Sequence, residues 1–518
     1  MAYSKSHSFF LSLIVAFGGF IFGFDASVIS GAIGQISNQY NLSPIQQGLV
    51  VGAPTLGAII AASVVGYLSD YFGRKKILIL IAALYLASIV GSAFAINYNM
   101  LVAFRFVGGL AFASLMIAPL YIAEVSPAKL RGKYVSLNQL NIVIGFSVAY
   151  FSNYWFLSFS NTDHVLVTQW GIKQNLWRWM LGIEALPSLV YLVILFFVPE
   201  TPRWLILNNR KEEAKRLLDS LVPEDEANEQ LSQPAEKNHE ASFFQKIGEL
   251  FKPQMRFIIA IGIFIGIIQQ VTGVNAIYFY APTIFEQSGI GTNAAFAQAI
   301  WIGIINIVFT LVAIAAIDKF GRRPLMIAGL LGVIISMGLC GYGFAHTTYK
   351  ITANNLPKSL SAEQVEKIRP MIDVSYDSDV KFKHELKRYI GDSAARQYEG
   401  EILQVATKTN PTLILSGIFG FVAAFAISLG PVMWVMLSEI FPNAVRGVAI
   451  AFVGAINSVA SFVVQLFFPW QLANLGSAMT FMVYGIFALI GLIVVWKYLP
   501  ETKGKTLEQL ETALIIRH

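Results

Sequence analysis

Three ionisable residues lie inside long apolar segments, where lipid would otherwise surround them. Asp25 occurs in GGFIFGFDASVISG, Arg105 in AFRFVGG and Glu184 in WRWMLGIEALP. Ionisable groups at such positions are costly, and they commonly mark the path of a substrate or a proton. If successive segments alternate in direction, all three lie about 9–11 Å below the outer membrane boundary. An acid at this depth that leaves its arginine would take up a proton, because desolvation favours the neutral form.

The same charges could instead form a permanent salt bridge that fixes helix packing. Keeping a buried ion pair for packing alone is a weak strategy, since an apolar replacement is often equally stable. We therefore favour a proton-coupling site formed by Asp25, Arg105 and Glu184.

The elements that must position these residues are membrane helices. The chain is 55% hydrophobic and only 13% charged, whereas soluble domains carry about 25% charged residues. Its apolar segments run for about 20 residues, the length that spans a hydrocarbon core. The sequence predicts an all-α membrane protein with twelve helices, near residues 9–32, 48–69, 76–96, 99–122, 135–158, 179–199, 256–287, 295–317, 325–345, 412–436, 447–469 and 478–498.

Three phrases recur in the same order in both halves of the chain. They are DYFGRKK at Asp70 and DKFGRRP at Asp318, EVSPAKLRG at Glu124 and EIFPNAVRG at Glu439, and PETPRW at Pro199 and PETKGK at Pro500. A duplicated membrane unit of this kind is typical of a transporter. The predicted parts are a bundle at 1–199, a cytoplasmic helical linker at 200–255, a bundle at 256–498 with an insert at 346–410, and a tail at 499–518.

The basic residues that give the net charge of +6 lie mainly in the loops between the predicted helices. Lys and Arg crowd alternate short loops, a pattern that places those loops, and here both termini, in the cytoplasm. Basic charge therefore sets orientation, and we expect no nucleic-acid partner. The insert at 346–410 would lie outside, where we favour a solvated segment over a cap on the external mouth or a partner-binding segment.

The repeated turns are candidates for a cytoplasmic gate. Gly73 and Gly321 allow a tight turn, and the acids beside them can pair with arginines on neighbouring helix ends. The positive-inside rule alone would explain the basic residues but not the acids. The candidate gate residues are Asp70, Gly73, Arg74, Glu124, Arg131, Asp318, Gly321, Arg322, Glu439 and Arg446.

A run of amides near the middle of helix 7 points to a substrate site. After Gln269 and Gln270, the residues Thr272–Asn275 and then Pro282 weaken the helix, and interrupted helices at mid-membrane depth commonly bind substrates. Helix 10 has a similar interruption in SLGPVMW, just before Trp434. Neutral amides around an indole suit a neutral polyhydroxylated ring. Buried amides could instead join helices to one another.

Taken together, these phrases resemble the sugar porters of the major facilitator superfamily, most closely the bacterial sugar–proton symporters such as the xylose–proton symporters. The signatures are GRKK at Gly73, PETPRW at Pro199, QQVTGVNAIYFYAP at Gln269, GPVMW at Gly430 and PETKGKTLEQLE at Pro500. The resemblance implies two pseudo-symmetric six-helix bundles around a central cavity. It also implies that Asp25 carries the proton, with Arg105 as partner and Glu184 as second acid. It further implies substrate contacts from Gln139, Gln269, Gln270, Asn275, Asn306, Trp434 and Asn457.

Two positions depart from the symporter pattern. Asn457 and Phe146 stand where the xylose symporters have glutamine, so the sugar class is expected but not its pentose specificity.

We therefore expect proton-driven import of a pentose or hexose by a monomer in a bacterial cytoplasmic membrane. Sugar and proton are the expected ligands, and no cofactor, metal or enzymatic activity is expected, because the six histidines all lie in tails or loops. A passive uniporter would not require Asp25. A drug exporter would have fewer amides than the Gln269–Asn275 run, and a sugar-sensing receptor would carry a longer cytoplasmic tail than the roughly 20 residues after helix 12.

Overall fold

The computed structural model describes residues 5–232, 248–357, 360–442 and 445–503. Within these ranges, twelve helical spans are long and apolar enough to cross a membrane, and each overlaps one of the twelve predicted helices. The predicted all-α membrane class is therefore confirmed. The uninterrupted spans are TM1 (Lys5–Tyr40), TM2 (Pro44–Phe72), TM3 (Arg74–Ala93), TM5 (Arg131–Ser160), TM8 (Thr292–Phe320), TM9 (Arg322–Ala345), TM11 (Arg446–Asn474) and TM12 (Gly476–Tyr498).

The other spans are interrupted. TM4 consists of Tyr98–Ala111 and Ser114–Val125, TM6 of Leu176–Gly182 and Ala185–Leu195, TM7 of Arg256–Val271 and Val274–Phe279, and TM10 of Pro411–Ile427 and Leu429–Ile440. In TM7 the interruption is at Gly273, whose φ of 95° lies in the left-handed region that favours glycine. A short helix, Ala281–Gln287, follows TM7 and contains Pro282 in its first turn.

The interruption of TM10 lies at Ser428, two residues before the Gly430–Pro431 pair named by the sequence. Pro431 instead occupies the first turn of the following segment. Its missing amide hydrogen costs nothing there, because first-turn amides have no partner within the helix.

The described chain forms two compact units. The first contains residues 5–28, 53–149 and 178–232, and the second contains residues 29–52, 150–177 and the described residues from 248 onward. TM1, TM2 and TM5 are continuous helices that contribute residues to both units. The division into bundles at 1–199 and 256–498, drawn from the repeat, stays a prediction.

The part of the predicted linker that the structure describes is helical. It contains Pro202–Leu207, Lys211–Leu221 and Glu224–Ser232, and Leu218 and Leu221 are fully buried in the core of the first unit. Residues 233–247 of the linker, residues 504–518 of the tail and the end of the PETKGKTLEQLE signature lie outside the described residues.

The insert is a folded structure. Its helices are Ala362–Lys367, Asp379–Ile390, Asp392–Gln397 and Glu399–Ala406, and its ends are joined by the antiparallel two-residue strands Thr348–Tyr349 and Thr407–Lys408. The side chains of Phe382 and Met371 are fully buried in a hydrophobic core of its own. The amphipathic helices of the insert therefore pack their apolar faces together, and its assignment as a solvated segment stays a prediction.

Candidate proton and sugar sites

Asp25 and Arg105 form a buried ion pair in the first unit. Asp25 lies on TM1 and Arg105 on TM4, and the distance from Arg105 Nη1 to Asp25 Oδ1 is 2.6 Å. Each residue is at most 3% exposed. Gly108 lies one turn after Arg105, and a Cβ there would be 4.0 Å from Asp25 Oδ2 and 2.4 Å from Ser88 Oγ. The glycine thus leaves room for the Ser88 side chain next to this pair.

Glu184 adds a second acid to the electrostatic surroundings of this pair. It lies at the interruption of TM6, is 1% exposed, and interacts electrostatically with both Asp25 and Arg105. Among the described residues, Asp25 Oδ2, Arg105 Nε and Glu184 Oε1 are buried without a hydrogen-bond partner. Two acids around one base, with unused hydrogen-bonding atoms, can exchange a proton when their contacts change.

Four of the predicted sugar-site amides form one hydrogen-bonded network in the second unit. Gln269 Oε1 accepts hydrogen bonds from Gln270 Nε2 at 3.2 Å and from Asn457 Nδ2 at 2.8 Å. Asn275 Nδ2 donates to Gln270 Oε1 at 2.8 Å. Gln269 Nε2 donates to the carbonyl of Leu429 at 2.9 Å. The network therefore joins the interruptions of TM7 and TM10 to TM11.

Sequence reasoning missed two members of this network. Asn275 Nδ2 also donates to Ser461 Oγ at 2.5 Å, and Gln465 Nε2 donates to Ser461 Oγ at 2.8 Å. Asn457, Ser461 and Gln465 are spaced four residues apart on TM11, so they share one helix face. That spacing was the signal in the sequence that could have identified them.

The remaining predicted sugar-site residues differ in exposure. The Trp434 side chain is 44% exposed, and its indole lies 3.7 Å from where a Cβ on Gly454 would stand, one turn before Asn457. Asn306 is buried on TM8, and the described residues show no hydrogen bond from it into the amide network. Gln139, on TM5 in the first unit, is exposed.

The turn between TM2 and TM3 is held by Arg74. This arginine lies 2.8 Å from Asp70 Oδ1 through Nη1 and 3.1 Å from Glu124 Oε1 through Nη2. Its backbone amide donates to Glu200 Oε1 at 2.9 Å. The side chain of Arg74 is only 5% exposed, so one buried cation ties the helix ends of three segments together.

The turn between TM8 and TM9 repeats this arrangement in the second unit. Arg322 pairs with Asp318 at 3.2 Å and with Glu439 at 2.8 Å. Its backbone amide donates to Glu501 Oε1 at 3.1 Å. The sequence duplication is therefore a duplication of contacts, since each unit uses the same residue types in the same roles.

Glycine is required in both turns. Gly73 has a φ of 100° and Gly321 a φ of 92°, and a Cβ would stand 2.2 Å from an oxygen of Glu200 in the first turn and 2.8 Å from one of Glu501 in the second. Sequence reasoning named the PET phrases but not these two glutamates as part of the gate.

Arg131 and Arg446 are placed differently from the sequence expectation. Arg131 is exposed at the start of TM5, and Arg446 Nε donates to the carbonyl of Phe441 at 3.1 Å. In the part of the chain that the structure describes, the ion pairs of Glu124 and Glu439 are made with Arg74 and Arg322 instead. Partner choice depends on the approach of helix ends, which a sequence repeat does not specify.

Comparison with known proteins gives the same family. Residues 11–360 and 397–514 match the model of the sugar (and other) transporter family. The chain is 32% identical to the arabinose–proton symporter of Bacillus subtilis (strain 168), over 98% of this chain and 96% of that protein. It is also 32% identical to the D-xylose–proton symporter of Escherichia coli (strain K12), over 98% and 96%.

Its fold is similar to that of the inward-open xylose transporter XylE from E. coli, with a TM-score of 0.73 and 30% identity over 98% of this chain and 99% of that one. The predicted major facilitator fold is thereby confirmed. Twelve apolar spans and bacterial relatives make the chain a multi-pass inner-membrane protein, and a transporter instead of an enzyme. The chain belongs to the sugar transporter family.

Proposed function

We propose that the protein imports a monosaccharide, a pentose or a hexose, together with protons. The observation that carries this proposal is the buried pair of Asp25 and Arg105, 2.6 Å apart in a membrane span, with Glu184 as a second buried acid. A passive sugar carrier has no need for ionisable groups at this depth, where desolvation makes them costly. The arabinose– and xylose–proton symporters that resemble this chain support the same reading.

Asp25 is the proposed proton carrier. While the guanidinium of Arg105 lies 2.6 Å away, it stabilises the carboxylate form. When a conformational change separates the two, the buried carboxylate loses its counter-charge and takes up a proton. Glu184 then provides a second buried acid near Arg105, so that the arginine keeps a counter-charge through the cycle.

The amide network is the proposed sugar site. Its donors and acceptors are now satisfied within the network, and an incoming sugar can exchange these bonds for bonds to its hydroxyls with little net change in hydrogen bonding. The half-exposed indole of Trp434 offers an apolar face for the ring C–H groups. Gln139 and Asn306 are proposed as further sugar contacts.

The arginine-centred turns are the proposed cytoplasmic gate. Arg74 and Arg322 each hold acids from two neighbouring segments. We propose that these links set the positions of the helix ends that form the gate. Both termini would lie in the cytoplasm, and the protein would work as a monomer.

Uptake by proteoliposomes tests the function. Purified protein is supplied with an inward proton gradient and labelled xylose, arabinose, glucose, galactose or inositol, with and without a protonophore. We expect one sugar to accumulate and the accumulation to collapse with the protonophore. Equilibration without accumulation would indicate a uniporter, and no uptake of any sugar would contradict the proposal.

A further inference from the structure

A cavity of about 900 Å³ lies in the second unit, where the insert meets the ends of the membrane helices. Its walls come from the last turns of TM1, the helix Ala281–Gln287, the end of TM11 and the insert helices Asp379–Ile390 and Glu399–Ala406. Its volume is in the range of pockets that bind small molecules, about 300–1,000 Å³. The sugar-site residues Gln269, Gln270, Asn275 and Asn457 do not line it.

One wall of the cavity is a hydrogen-bonded cluster that attaches the insert to the end of the helix Ala281–Gln287. Lys383 Nζ lies 2.8 Å from Glu399 Oε1, and Gln287 Nε2 donates to the same oxygen at 3.2 Å. Lys383 also donates to Gln287 Oε1. Both charged groups of this cluster are neutralised and held in place, so the wall presents fixed donors and acceptors.

Two further contacts hold the insert in position. Asp379 Oδ2 accepts hydrogen bonds from the backbone amide of Ser477 at 2.9 Å and from its hydroxyl at 3.0 Å, at the start of TM12. Arg396 donates to the carbonyl of Leu42, between TM1 and TM2. The insert is therefore attached to three separate helix ends of the unit, and the cavity between them is a built feature of the fold.

Ionisable side chains of both signs line the cavity. They are three acids and four basic residues: Glu286, Glu399, Glu401, Lys383, His384, Lys387 and Arg396. A site for an anion or a cation would present a cluster of the opposite sign, because attraction in a partly buried site depends on net charge. Acids and bases that are interspersed, with Lys383 already paired to Glu399 at 2.8 Å, instead offer donors and acceptors to a neutral ligand.

The rest of the lining fits a sugar-like ligand. Trp470 lines the cavity and is 40% exposed, so part of its indole face is available for contact. Neutral amides add further hydrogen-bonding groups: Gln35, Asn38, Gln47 and Asn474. An aromatic face surrounded by hydrogen-bonding groups is complementary to a ring with hydroxyls at its edge and C–H groups on its faces.

The inner end of the cavity adjoins the amide network. Tyr280 lines the cavity, and its hydroxyl donates to the carbonyl of Gln465 at 3.1 Å. Gln465 in turn donates to Ser461, which accepts from Asn275. A ligand in the cavity is thus separated from the proposed sugar site by one aromatic side chain and one helix turn.

We propose that this cavity is a second, outer binding site for neutral polyhydroxylated molecules, where a sugar is held before it reaches the amide network. The outer site rests on the proposed function, since it assigns the same ligand class. The insert supplies more than a third of the residues that line the site, which gives this segment a role in substrate capture.

Saturation-transfer NMR on the purified full chain tests the outer site directly. Asn275→Ala removes one member of the amide network, and glucose, glucosamine and glucuronate serve as neutral, cationic and anionic probes that share one ring. We expect glucose to keep a signal in Asn275→Ala and both charged probes to give weaker signals. Adding Trp470→Ala or Lys383→Gln should weaken glucose binding by about 2- to 10-fold, the range for loss of one aromatic or hydrogen-bonding contact.

Matched controls separate binding from folding. Trp301→Ala removes an indole of similar exposure, 52%, from TM8 away from the cavity, and it should leave the signal unchanged. Trp470→Phe keeps an aromatic face and should restore most of the binding. Loss of all glucose signal in Asn275→Ala alone, or stronger binding of either charged probe, would overturn the outer site. Failure of proton-driven uptake by the unmodified chain would instead count against the proposed function.

Discussion

Asp25 and Glu184 are two buried acids that share one arginine, and they need not do the same work. Only Asp25 is within ion-pair distance of Arg105, at 2.6 Å. Glu184 interacts with it electrostatically from the interruption of TM6. We therefore assign the transported proton to Asp25 and a supporting role to Glu184.

Replacing Asp25 with asparagine should abolish accumulation of sugar against its gradient. The amide keeps the shape and one hydrogen bond to Arg105 but cannot take up a proton. Exchange of labelled for unlabelled sugar at equal concentrations should persist, because the sugar site is separate. Asp163→Asn, at an exposed loop position, is the matched control. If exchange disappears with accumulation, Asp25 has a structural role.

Replacing Trp434 with alanine should weaken sugar affinity by about 2- to 10-fold, since an aromatic contact contributes about 0.5–1.5 kcal/mol. The ring is 44% exposed and adjoins Gly454, one turn from Asn457. Binding is measured by titration of the purified protein, with Trp301→Ala as control. Unchanged affinity in Trp434→Ala would remove the proposed stacking contact.

In the tight turns between helices, the glycines that recur in the sequence occupy the positions where the backbone requires glycine. Gly73 and its counterpart Gly321 combine a positive φ with a glutamate oxygen directly beside the Cα. Each turn thereby brings backbone amides of the next helix onto Glu200 or Glu501. The duplicated phrase encodes this contact, which explains why acid, glycine and arginine recur together.

Gly73→Ala should lower stability by about 1–3 kcal/mol, the range for a strained non-glycine backbone. The added Cβ would also displace Glu200, since it would stand 2.2 Å from the carboxylate oxygen. Thermal unfolding in detergent measures the effect. Gly132→Ala is the control, because a Cβ there meets no atom within 4 Å. Equal melting temperatures for the two variants would contradict this account of the turn.

The attachment of the insert should depend on pH through Glu286. Burial raises the pKa of this carboxyl to about 7 against the hydrogen bond from Thr292, and the charge of Glu399 adds to the rise. When the insert detaches, the pKa of the carboxyl returns toward its ordinary value of 4.5. Between these values the attached state holds a proton that the detached state releases, so attachment weakens as pH rises through this window.

Hydrogen exchange of the insert helix Glu399–Ala406 measures this dependence. We expect its protection to fall between pH 5 and pH 8 after correction for intrinsic exchange. In Glu286→Gln, which stays neutral at every pH, the protection should be flat. Glu363→Gln is the control, because the side chain of this glutamate is 78% exposed in the first turn of the helix Ala362–Lys367. If the protection still changes with pH in Glu286→Gln, another titrating group causes the pH dependence.

For the whole molecule, the sequence predicted the number and type of membrane spans because apolar length is a local property. It also predicted the pairing of Asp25 with Arg105, since alternating helices place them at one depth. It did not predict that the insert folds, or that Glu124 and Glu439 select Arg74 and Arg322. These outcomes depend on contacts between segments far apart in the chain. Ser461 and Gln465 could have been predicted from the sequence, because they follow Asn457 at intervals of four residues and so lie on the same helix face.

The orientation of the whole molecule can be tested with cysteines, because the only native one, Cys340, is fully buried. Ser393→Cys introduces a thiol in the insert and Ser232→Cys one at the end of the described linker, both at exposed positions. In intact cells, a membrane-impermeant maleimide should label Ser393→Cys and leave Ser232→Cys and the unmodified chain unlabelled. Permeabilisation should expose Ser232→Cys. The reverse pattern would place both termini and the arginine-centred turns outside, and would contradict their assignment as a cytoplasmic gate.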